Sequence, residues 1–169
     1  MAIFNSLELQ TTYYQSPIGP IEIVGTTEGI VSITFVENTS INDSEVPLFL
    51  KECVDHLNDY FEGTPRKFSL RLQMTGTEFQ KQVWKELMHL SFGETKSYGH
   101  IAGLIGNPKA VRAVGSASSK NKIAIVIPCH RVIGSDGSLT GYAGGVWRKA
   151  WLLRHEKNLG CEPMFWNVL

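Results

Sequence analysis

A thiol, an imidazole and a guanidinium occur side by side at Cys129, His130 and Arg131, directly after Pro128. A cysteine thiol has a reference pKa of about 8.5, so a nucleophilic cysteine needs a neighbouring base or a positive field at neutral pH. His130 can supply the base, and Glu156 is a candidate for the carboxylate that holds the imidazole in one tautomer. From the residues alone, the pattern is compatible with a catalytic cysteine and with a structural one.

Two predicted elements must position these groups. Residues 123–127 form an apolar, β-like run that ends at Pro128, and residues 146–157 form a predicted helix that carries Glu156. Because adjacent side chains on a strand point to opposite faces, His130 reaches the sulfur only if the chain turns at Pro128. We therefore expect a turn between the strand and the cysteine.

The chain before these elements predicts a small strand-rich domain. Residues 11–37 alternate β-rich stretches with turn residues, which is typical of a β-meander. Apolar residues at helical spacing in 46–61 predict an amphipathic helix, and Cys53 on its apolar stripe is interpreted as a buried structural residue. A further short strand is predicted at 67–72. We place a domain boundary after it, which divides the chain into residues 1–75 and 76–169.

The charge of the chain changes sign at this boundary. The formal net charge is zero, but residues 1–75 hold 4 basic and 10 acidic residues, whereas residues 76–169 hold 12 basic and 6 acidic ones. A polyanion would therefore meet the second half. Two solvated surfaces that differ by accident would give the same asymmetry, so the motifs must decide between the two interpretations.

The second half predicts a helix-turn-helix outline. Thr77 with Gln80 forms a capping-box pattern that begins a first helix. Another helix is predicted at 98–105, stops at 106–107 and restarts with Asn107 as cap and Pro108 in the first helical position. Such a helix pair also occurs as plain packing without DNA recognition.

The restarted helix has an unusually slim outer face. We expect its inward residues to be Ala110, Val111, Val114 and Ala117. The outer face offers a set of mostly small side chains together with one arginine, namely Arg112, Ala113, Gly115 and Ser116. Small side chains let the backbone approach closely, which favours the narrow minor groove of DNA over the major groove.

The cysteine spacing and the short apolar runs argue against several classes of protein. Cys53, Cys129 and Cys161 contain no C-x-x-C pair, which argues against a disulfide framework or a zinc knuckle. Cys161 is compatible with an exposed thiol near the carboxyl end and with a structural role, of which the second is favoured. No apolar run approaches the roughly 20 residues of a membrane span, and residues 1–10 lack the pattern of a secretory signal. We expect a cytoplasmic protein without membrane contact.

The segment Ile127-Pro128-Cys129-His130-Arg131-Val132 closely resembles the active-site signature of the O6-alkylguanine-DNA alkyltransferases. The similarity covers roughly ninety residues of the second half, whereas the first half matches only in outline. The matching segments are Phe79-Gln80, Val83-Trp84, Ser97-Tyr98-Gly99, Gly106-Asn107-Pro108, Arg112-Ala113-Val114-Gly115, Asn121, Gly141-Tyr142, Gly144-Gly145, Leu152-Leu153 and His155-Glu156.

The resemblance implies an α+β fold in which a small strand-rich domain with one or two helices precedes a mainly helical, winged-helix-like domain. It implies direct-reversal DNA repair, with stoichiometric, irreversible transfer of an alkyl group from O6-alkylguanine to Cys129 and no cofactor. By the same resemblance, His130 is the water-bridged base and Glu156 orients it. The implied partner is double-stranded DNA that carries the lesion, approached from the minor groove by a monomer.

The family pattern also assigns residues that hold the lesion. Tyr98 corresponds to a tyrosine that helps to turn the nucleotide out and hydrogen-bonds the flipped guanine, so it is both catalytic and substrate-binding. Val132, Tyr142 and Ala143 correspond to groups around the guanine. Ala143 stands where some members have serine, which leaves the backbone N–H but removes a hydroxyl and bears on the choice between guanine and thymine lesions.

The remaining assignments concern the DNA and the active-site turn. Arg112 resembles the arginine that fills the gap left by the flipped nucleotide. Ala113, Gly115 and Ser116 are expected to contact DNA, and Asn121 matches an asparagine whose amide braces backbone on both sides. We expect no zinc, because residues 1–75 offer only Cys53 and His56 as soft or imidazole ligands.

Two other function classes use the same residue types. A Cys-His-Glu hydrolase would attack a carbonyl substrate and regenerate its thiol on turnover. A regulatory or scanning DNA-binding module would carry Cys129 without using it. Alkyltransferase-like proteins share the scaffold but lack the acceptor cysteine, which this chain retains.

Overall fold

The computed structural model describes residues 8–37, 45–64 and 67–160. The first half begins with an antiparallel sheet of three strands in the order β1 (Gln10–Ser16), β2 (Gly19–Thr26) and β3 (Gly29–Phe35). Both connections are two-residue turns, because Ser16 pairs with Gly19 and Thr26 with Gly29. The predicted β-meander is confirmed.

The helix α1 (Leu48–Phe61) packs against all three strands. The fully buried side chains at this contact come from the predicted apolar stripe and from alternate strand positions, namely Leu50, Cys53, Leu57, Ile21, Ile23 and Ile33. Each such aliphatic side chain contributes about 1.5–3 kcal/mol of hydrophobic free energy when fully buried. The core of the strand domain thus forms where alternate strand residues, which share one face of the sheet, meet the apolar stripe of the helix.

The predicted strand at 67–72 is wrong. The segment touches β3 through one parallel bridge between Ile30 and Leu72, flanked by a bond from Ile30 N to Arg71 O and one from Gln73 N to Ile30 O, each 2.8 Å. Further along, the same edge of β3 bonds to Lys122 and residue 124 instead. Because two segments share this edge, the first of them does not extend into a strand.

The second half is mainly helical. Its helices are α2 (Glu78–Leu87), α3 (Tyr98–Leu104), α4 (Val111–Ser119) and α5 (Val146–Gly160). A small parallel sheet joins β4 (Lys96–Ser97) to β5 (Val132–Ile133). The predicted α+β fold, a strand-rich domain followed by a helical one, is confirmed.

The capping box that begins α2 is present. The Thr77 hydroxyl accepts a bond from the backbone N–H of Gln80, whose side chain accepts one from the backbone N–H of Thr77. Further along α2, Trp84 donates its indole N–H to the carbonyl of Ala117 in α4 at 2.9 Å. Helix α2 therefore packs against α4 and is hydrogen-bonded to it.

The predicted start of the helix after α3 is wrong. Asn107 and Pro108 lie in a turn closed by a 2.9 Å bond from Ala110 N to Asn107 O, and α4 begins only at Val111. Ala110, with φ −81° and ψ 21°, precedes the helix because its conformation departs from that of a helical residue. Pro108 therefore occupies the second position of this turn rather than the first position of α4.

The predicted strand at 123–127 is also wrong, although its burial is confirmed for Ile123, Ile125 and Ile127. A single bridge pairs Ile123 with Ile33 of β3, and the chain then turns. Ile125 adopts a φ of +70°, a left-handed conformation that is uncommon for a β-branched residue. The Asn121 side chain bonds to this backbone and so replaces the ladder hydrogen bonds that a strand would need.

Aromatic side chains join α1 to α5. Trp151 stacks on His155 with ring centroids 4.8 Å apart, and both rings contact Phe61. His155 also bonds through Nε2 to the carbonyl of Tyr60 at 2.7 Å. The two halves therefore share one continuous core. Among the residues described, no helix is long and apolar enough to cross a membrane.

Candidate active site

Cys129 begins a 3-10 turn, Cys129–Arg131, directly after Pro128. The chain therefore turns where the sequence required it. The cysteine is only 7% exposed, and its Sγ accepts a hydrogen bond from Nδ2 of Asn121 at 3.2 Å. A thiolate at this position would receive direct hydrogen-bond support.

Asn121 follows α4 and holds the backbone on both sides of the turn. Its Nδ2 lies 2.9 Å from the carbonyl of Ile127 and 3.3 Å from that of Ile123, and its Oδ1 accepts a 2.9 Å bond from Ile123 N. The residue is buried. The bracing contacts that the resemblance implied are present, and the contact with the Cys129 sulfur is additional to them.

His130 and Glu156 form a fully buried pair, with 2.6 Å between Nε2 and Oε1. An ionised carboxylate can only accept hydrogen bonds, so Nε2 carries the proton and Nδ1 of a neutral His130 keeps its lone pair. Nδ1 is buried and has no hydrogen-bond partner among the residues that the structure describes. Burial lowers the pKa of His130, which keeps the imidazole neutral and able to take up a proton.

Glu156 also binds three groups that the sequence analysis did not assign to the site. Arg131 donates through Nε and Nη2 to the two carboxylate oxygens at 2.9 and 3.0 Å. Tyr60 donates its hydroxyl proton at 2.8 Å, and the backbone N–H of Gly93 donates at 3.0 Å. Burial by itself raises the pKa of Glu156, but His130 and Arg131 outweigh it and hold the pKa well below its usual range.

Lys149 is the other residue that the sequence analysis missed. It is fully buried in α5, and its Nζ donates to the carbonyl of Thr140 at 3.0 Å and to the hydroxyl of Tyr98 at 3.3 Å. Burial lowers its pKa to about 8, whereas Cys129 raises it. Burial raises the pKa of the Cys129 thiol, and Asn121 and Lys149 oppose that rise.

Tyr98 lies between α4 and the lysine. Its hydroxyl donates to the carbonyl of Thr140 at 3.1 Å, and Lys149 Nζ lies 5.6 Å from its ring centroid. A Cβ atom on Gly115 would lie 3.9 Å from the tyrosine ring, so α4 passes close beside it. The Tyr98 hydroxyl proton is therefore used in the bond to Thr140, and that bond would have to break before the hydroxyl could donate to a ligand.

Tyr142 and Val132 lie close to the histidine and cysteine, whereas Ala143 lies at the surface. The Tyr142 ring meets that of His130 edge-on, with 6.4 Å between ring centroids, and within the described part of the chain its buried hydroxyl has no hydrogen-bond partner. The backbone N–H of Val132 donates to the carbonyl of Cys129. Ala143 is exposed.

The outer face of α4 lies at the surface, with Arg112, Ala113 and Ser116 exposed. Val114 and Ala117 are buried as predicted, but Val111 is 40% exposed, so its inward assignment is wrong. The late start of α4 explains the exposure of Val111. As the first residue of the helix, it lies outside the part of α4 that packs against the core.

The other two cysteines differ in what the structure shows. Cys53 is fully buried, and burial raises the pKa of its thiol to about 12, which fits the predicted structural role. Cys161 lies outside the described residues. Within the described part of the chain, no cluster of three or more histidine, cysteine or acidic side chains could hold a metal ion.

Comparison with known proteins matches two family models. Residues 9–74 match the ribonuclease-like domain of 6-O-methylguanine DNA methyltransferase, and residues 78–158 match its DNA binding domain. A methylated-DNA–protein-cysteine methyltransferase of Methanosarcina acetivorans is 47% identical over 148 residues, which cover 85% of this chain and 95% of the relative.

Solved structures give the same result. The O6-methylguanine methyltransferase of Mycobacterium tuberculosis has a TM-score of 0.82 at 41% identity, covering 92% of this chain and 97% of that one. A Mycobacterium tuberculosis OGT structure in complex with DNA has a TM-score of 0.81 at 45% identity, covering 88% and 93%. The chain therefore belongs to the 6-O-methylguanine DNA methyltransferase family, and its activity is direct-reversal repair, the transfer of a methyl group from methylated DNA to a cysteine of the protein.

Proposed function

We propose that Cys129 is the cysteine that accepts the alkyl group, from O6-alkylguanine in double-stranded DNA. The observation that carries this assignment is the buried series of contacts around the turn. Glu156 fixes the proton of His130 on Nε2, and Asn121 donates to the Cys129 sulfur. Cys53, by contrast, is fully buried in the strand-domain core, where burial raises the pKa of its thiol to about 12.

The reaction is an in-line displacement at a saturated carbon. His130 Nδ1 takes the thiol proton through a bridging water, and the thiolate forms an S–C bond as the C–O6 bond breaks. The electron pair stays with the purine, which takes up a proton and leaves as guanine. The thioether product has no carbonyl for water to attack, so each chain reacts once and needs no cofactor.

The lesion pocket is formed by Tyr98, Tyr142, the backbone of Val132 and the backbone N–H of Ala143. Because the Val132 N–H already bonds to Cys129, its carbonyl is the group that would contact the guanine edge. The Tyr98 hydroxyl gives up its hydrogen bond to Thr140 and donates to the flipped base instead, which eases the departure of the dealkylated guanine. The missing hydroxyl at position 143 affects the preference between O6-alkylguanine and O4-alkylthymine.

The DNA lies against α4 through its minor groove. The small residues Ala113, Gly115 and Ser116 allow close approach of the backbone, and Arg112 fills the gap in the base stack when the nucleotide is extruded. A related structure from Mycobacterium tuberculosis is in complex with DNA, which supports DNA binding by this chain. The protein acts as a monomer in the cytoplasm, with residues 1–75 supporting the catalytic residues 76–169.

The test is a count of transferred groups and their location. With O6-methylguanine duplex in excess, transfer should stop at about one methyl group per chain, and mass spectrometry should find the methyl on Cys129. Cys53→Ala, the matched control, should retain the plateau, whereas Cys129→Ala should abolish transfer and keep duplex binding. Repeated turnover would indicate a hydrolase, and methylation of another cysteine would refute the assignment.

A further inference from the structure

Arg148 lies near the start of α5 and is almost completely enclosed. Its guanidinium donates through Nε to the carbonyl of Ile18 at 2.8 Å and through Nη1 to the carbonyl of Gly144 at 2.9 Å. Nη2 donates to the Glu37 carboxylate at 3.1 Å. All three nitrogens are therefore bonded, although the Glu37 side chain is 79% exposed and that ion pair contributes little.

Aromatic rings cover the guanidinium. Its Cζ lies 4.9 Å from the Phe35 ring centroid and 4.5 Å from that of Trp147. Arginine suits such a site because its planar fork stacks on aromatic rings while it donates in several directions, whereas lysine offers a single ammonium. A lysine at position 148 would not reproduce the three hydrogen bonds and the stacking together.

The partners of Arg148 come from both halves of the chain. Ile18 lies in the β1–β2 turn and Phe35 ends β3, whereas Gly144 belongs to the segment 140–145 that precedes α5. Gly144 also packs tightly, since a Cβ there would lie 2.8 Å from Phe35 Cδ2 and 2.9 Å from Tyr142 Cε1. The strand domain therefore holds segment 140–145 by two independent contacts.

Segment 140–145 carries groups that face the reacting centre. Tyr142 meets the His130 ring, and the carbonyl of Thr140 accepts bonds from Tyr98 and Lys149. A displacement of Gly144 would move these groups together. Positioning errors of about 1 Å can cost about a hundredfold in rate.

We propose that Arg148 is a positioning residue through which the strand domain holds segment 140–145 as one wall of the lesion pocket. The inference rests on the proposed pocket and gives the strand domain a role in the transfer step. Arg148 itself does not touch the cysteine, the histidine or Glu156 by any hydrogen bond, so loss of its contacts should leave the reactivity of the thiol intact.

Single-turnover kinetics with O6-methylguanine duplex test the proposal by separating the maximal transfer rate constant from the half-saturating duplex concentration. Arg148→Lys should lower the maximal rate constant about tenfold or more, with the half-saturating concentration changed by less than about threefold. The alkylation of Cys129 by iodoacetamide, followed by peptide mass spectrometry, should keep its wild-type rate. Arg154→Lys, an exposed arginine of the same helix, is the matched control and should behave as wild type.

Gly144→Ala provides a second variant, which keeps the Arg148 side chain and displaces the segment through the close contact of the new Cβ with Phe35 and Tyr142, and it should reproduce the same kinetic signature. Unchanged maximal rate constants in both variants would overturn the proposal, as would a loss that merely follows the folded fraction measured by circular dichroism. If wild type methylated a cysteine other than Cys129, the proposed function itself would fail, which is a different result from normal transfer in Arg148→Lys.

Discussion

The amide of Asn121 donates a hydrogen bond to the sulfur of Cys129 across 3.2 Å, while the same side chain bonds the backbone at Ile123 and Ile127. One residue therefore shapes the turn and supports the thiolate. Because Asn121 lies two residues after the last residue of α4, its side chain connects the helix proposed to bind DNA to the proposed nucleophile. The proposed DNA-binding helix and the proposed nucleophile therefore lie one side-chain contact apart.

Asn121→Ala should slow the reaction of Cys129 and destabilise the protein. The loss of the Nδ2 donor removes a cause that lowers the thiol pKa, so the alkylation rate measured against pH should shift to higher pH. The unpaired carbonyl groups should lower the free energy of unfolding by about 1–3 kcal/mol, measured in urea. An unshifted pH profile in a folded variant would contradict a role for Asn121 at the sulfur.

Glu156→Gln should remove most of the transfer activity. The substitution leaves Arg131 buried without its carboxylate, which should destabilise the protein by about 3–5 kcal/mol. It also replaces an acceptor-only carboxylate by an amide that can donate to His130 as well as accept, so the tautomer is no longer fixed and transfer in the folded fraction should fall by about a hundredfold or more. Single-turnover kinetics and urea unfolding measure the two effects, with the exposed Glu52→Gln as control.

Folding stability should fall with acidification in two steps. The pKa of His130 is lowered in the folded protein, so below its ordinary value of 6.5 the unfolded chain binds the extra proton and stability declines. The pKa of Glu156 is lowered as well, which adds a second decline below about 4.5. Urea unfolding across this pH range measures both, and His130→Gln should weaken the first step. A stability that rose on acidification would contradict these directions.

Lys149→Met should reduce thiol reactivity without reducing stability. The lysine pKa of about 8 leaves the group largely charged at neutral pH, where it favours the Cys129 thiolate. Methionine has a similar length and no charge, so the alkylation rate at neutral pH should fall at least about fivefold while urea unfolding stays equal or improves. In wild type, this charge is lost as pH rises through about 8. Equal alkylation rates in the two proteins would exclude an electrostatic role.

Arg112→Ala should impair transfer from duplex DNA and leave the thiol unaffected. The side chain lies exposed on α4, away from the buried groups around Cys129, so its removal should act through extrusion of the nucleotide. We expect about a tenfold or larger loss in transfer rate from duplex, with iodoacetamide reactivity preserved. Lys120→Ala removes the same charge at the end of α4 and controls for net charge. Equal losses of transfer rate in both variants would indicate that Arg112 acts only as a contact to a phosphate.

Local patterns predicted much of the fold and failed where one side chain's hydrogen bonds or one residue's backbone conformation decides. The β-meander, α1 and the capping box of α2 were predictable because each depends on residues a few positions apart. The supposed strand at 123–127 instead turns, because the Asn121 side chain supplies hydrogen bonds that composition does not reveal. Likewise, the start of α4 depends on the conformation of Ala110 rather than on the proline signal.

The sequence by itself determined the chemistry of this protein: a cysteine, a histidine and a glutamate in a recognisable signature, with a slim helix before them. Only the tertiary structure decided that Arg131, Tyr60 and Gly93 converge on Glu156, and that Arg148 joins the strand domain to segment 140–145. The physical reason is separation along the chain. Tyr60 lies 96 residues from Glu156, and Ile18 lies 130 from Arg148, so packing of the two halves alone brings these groups together.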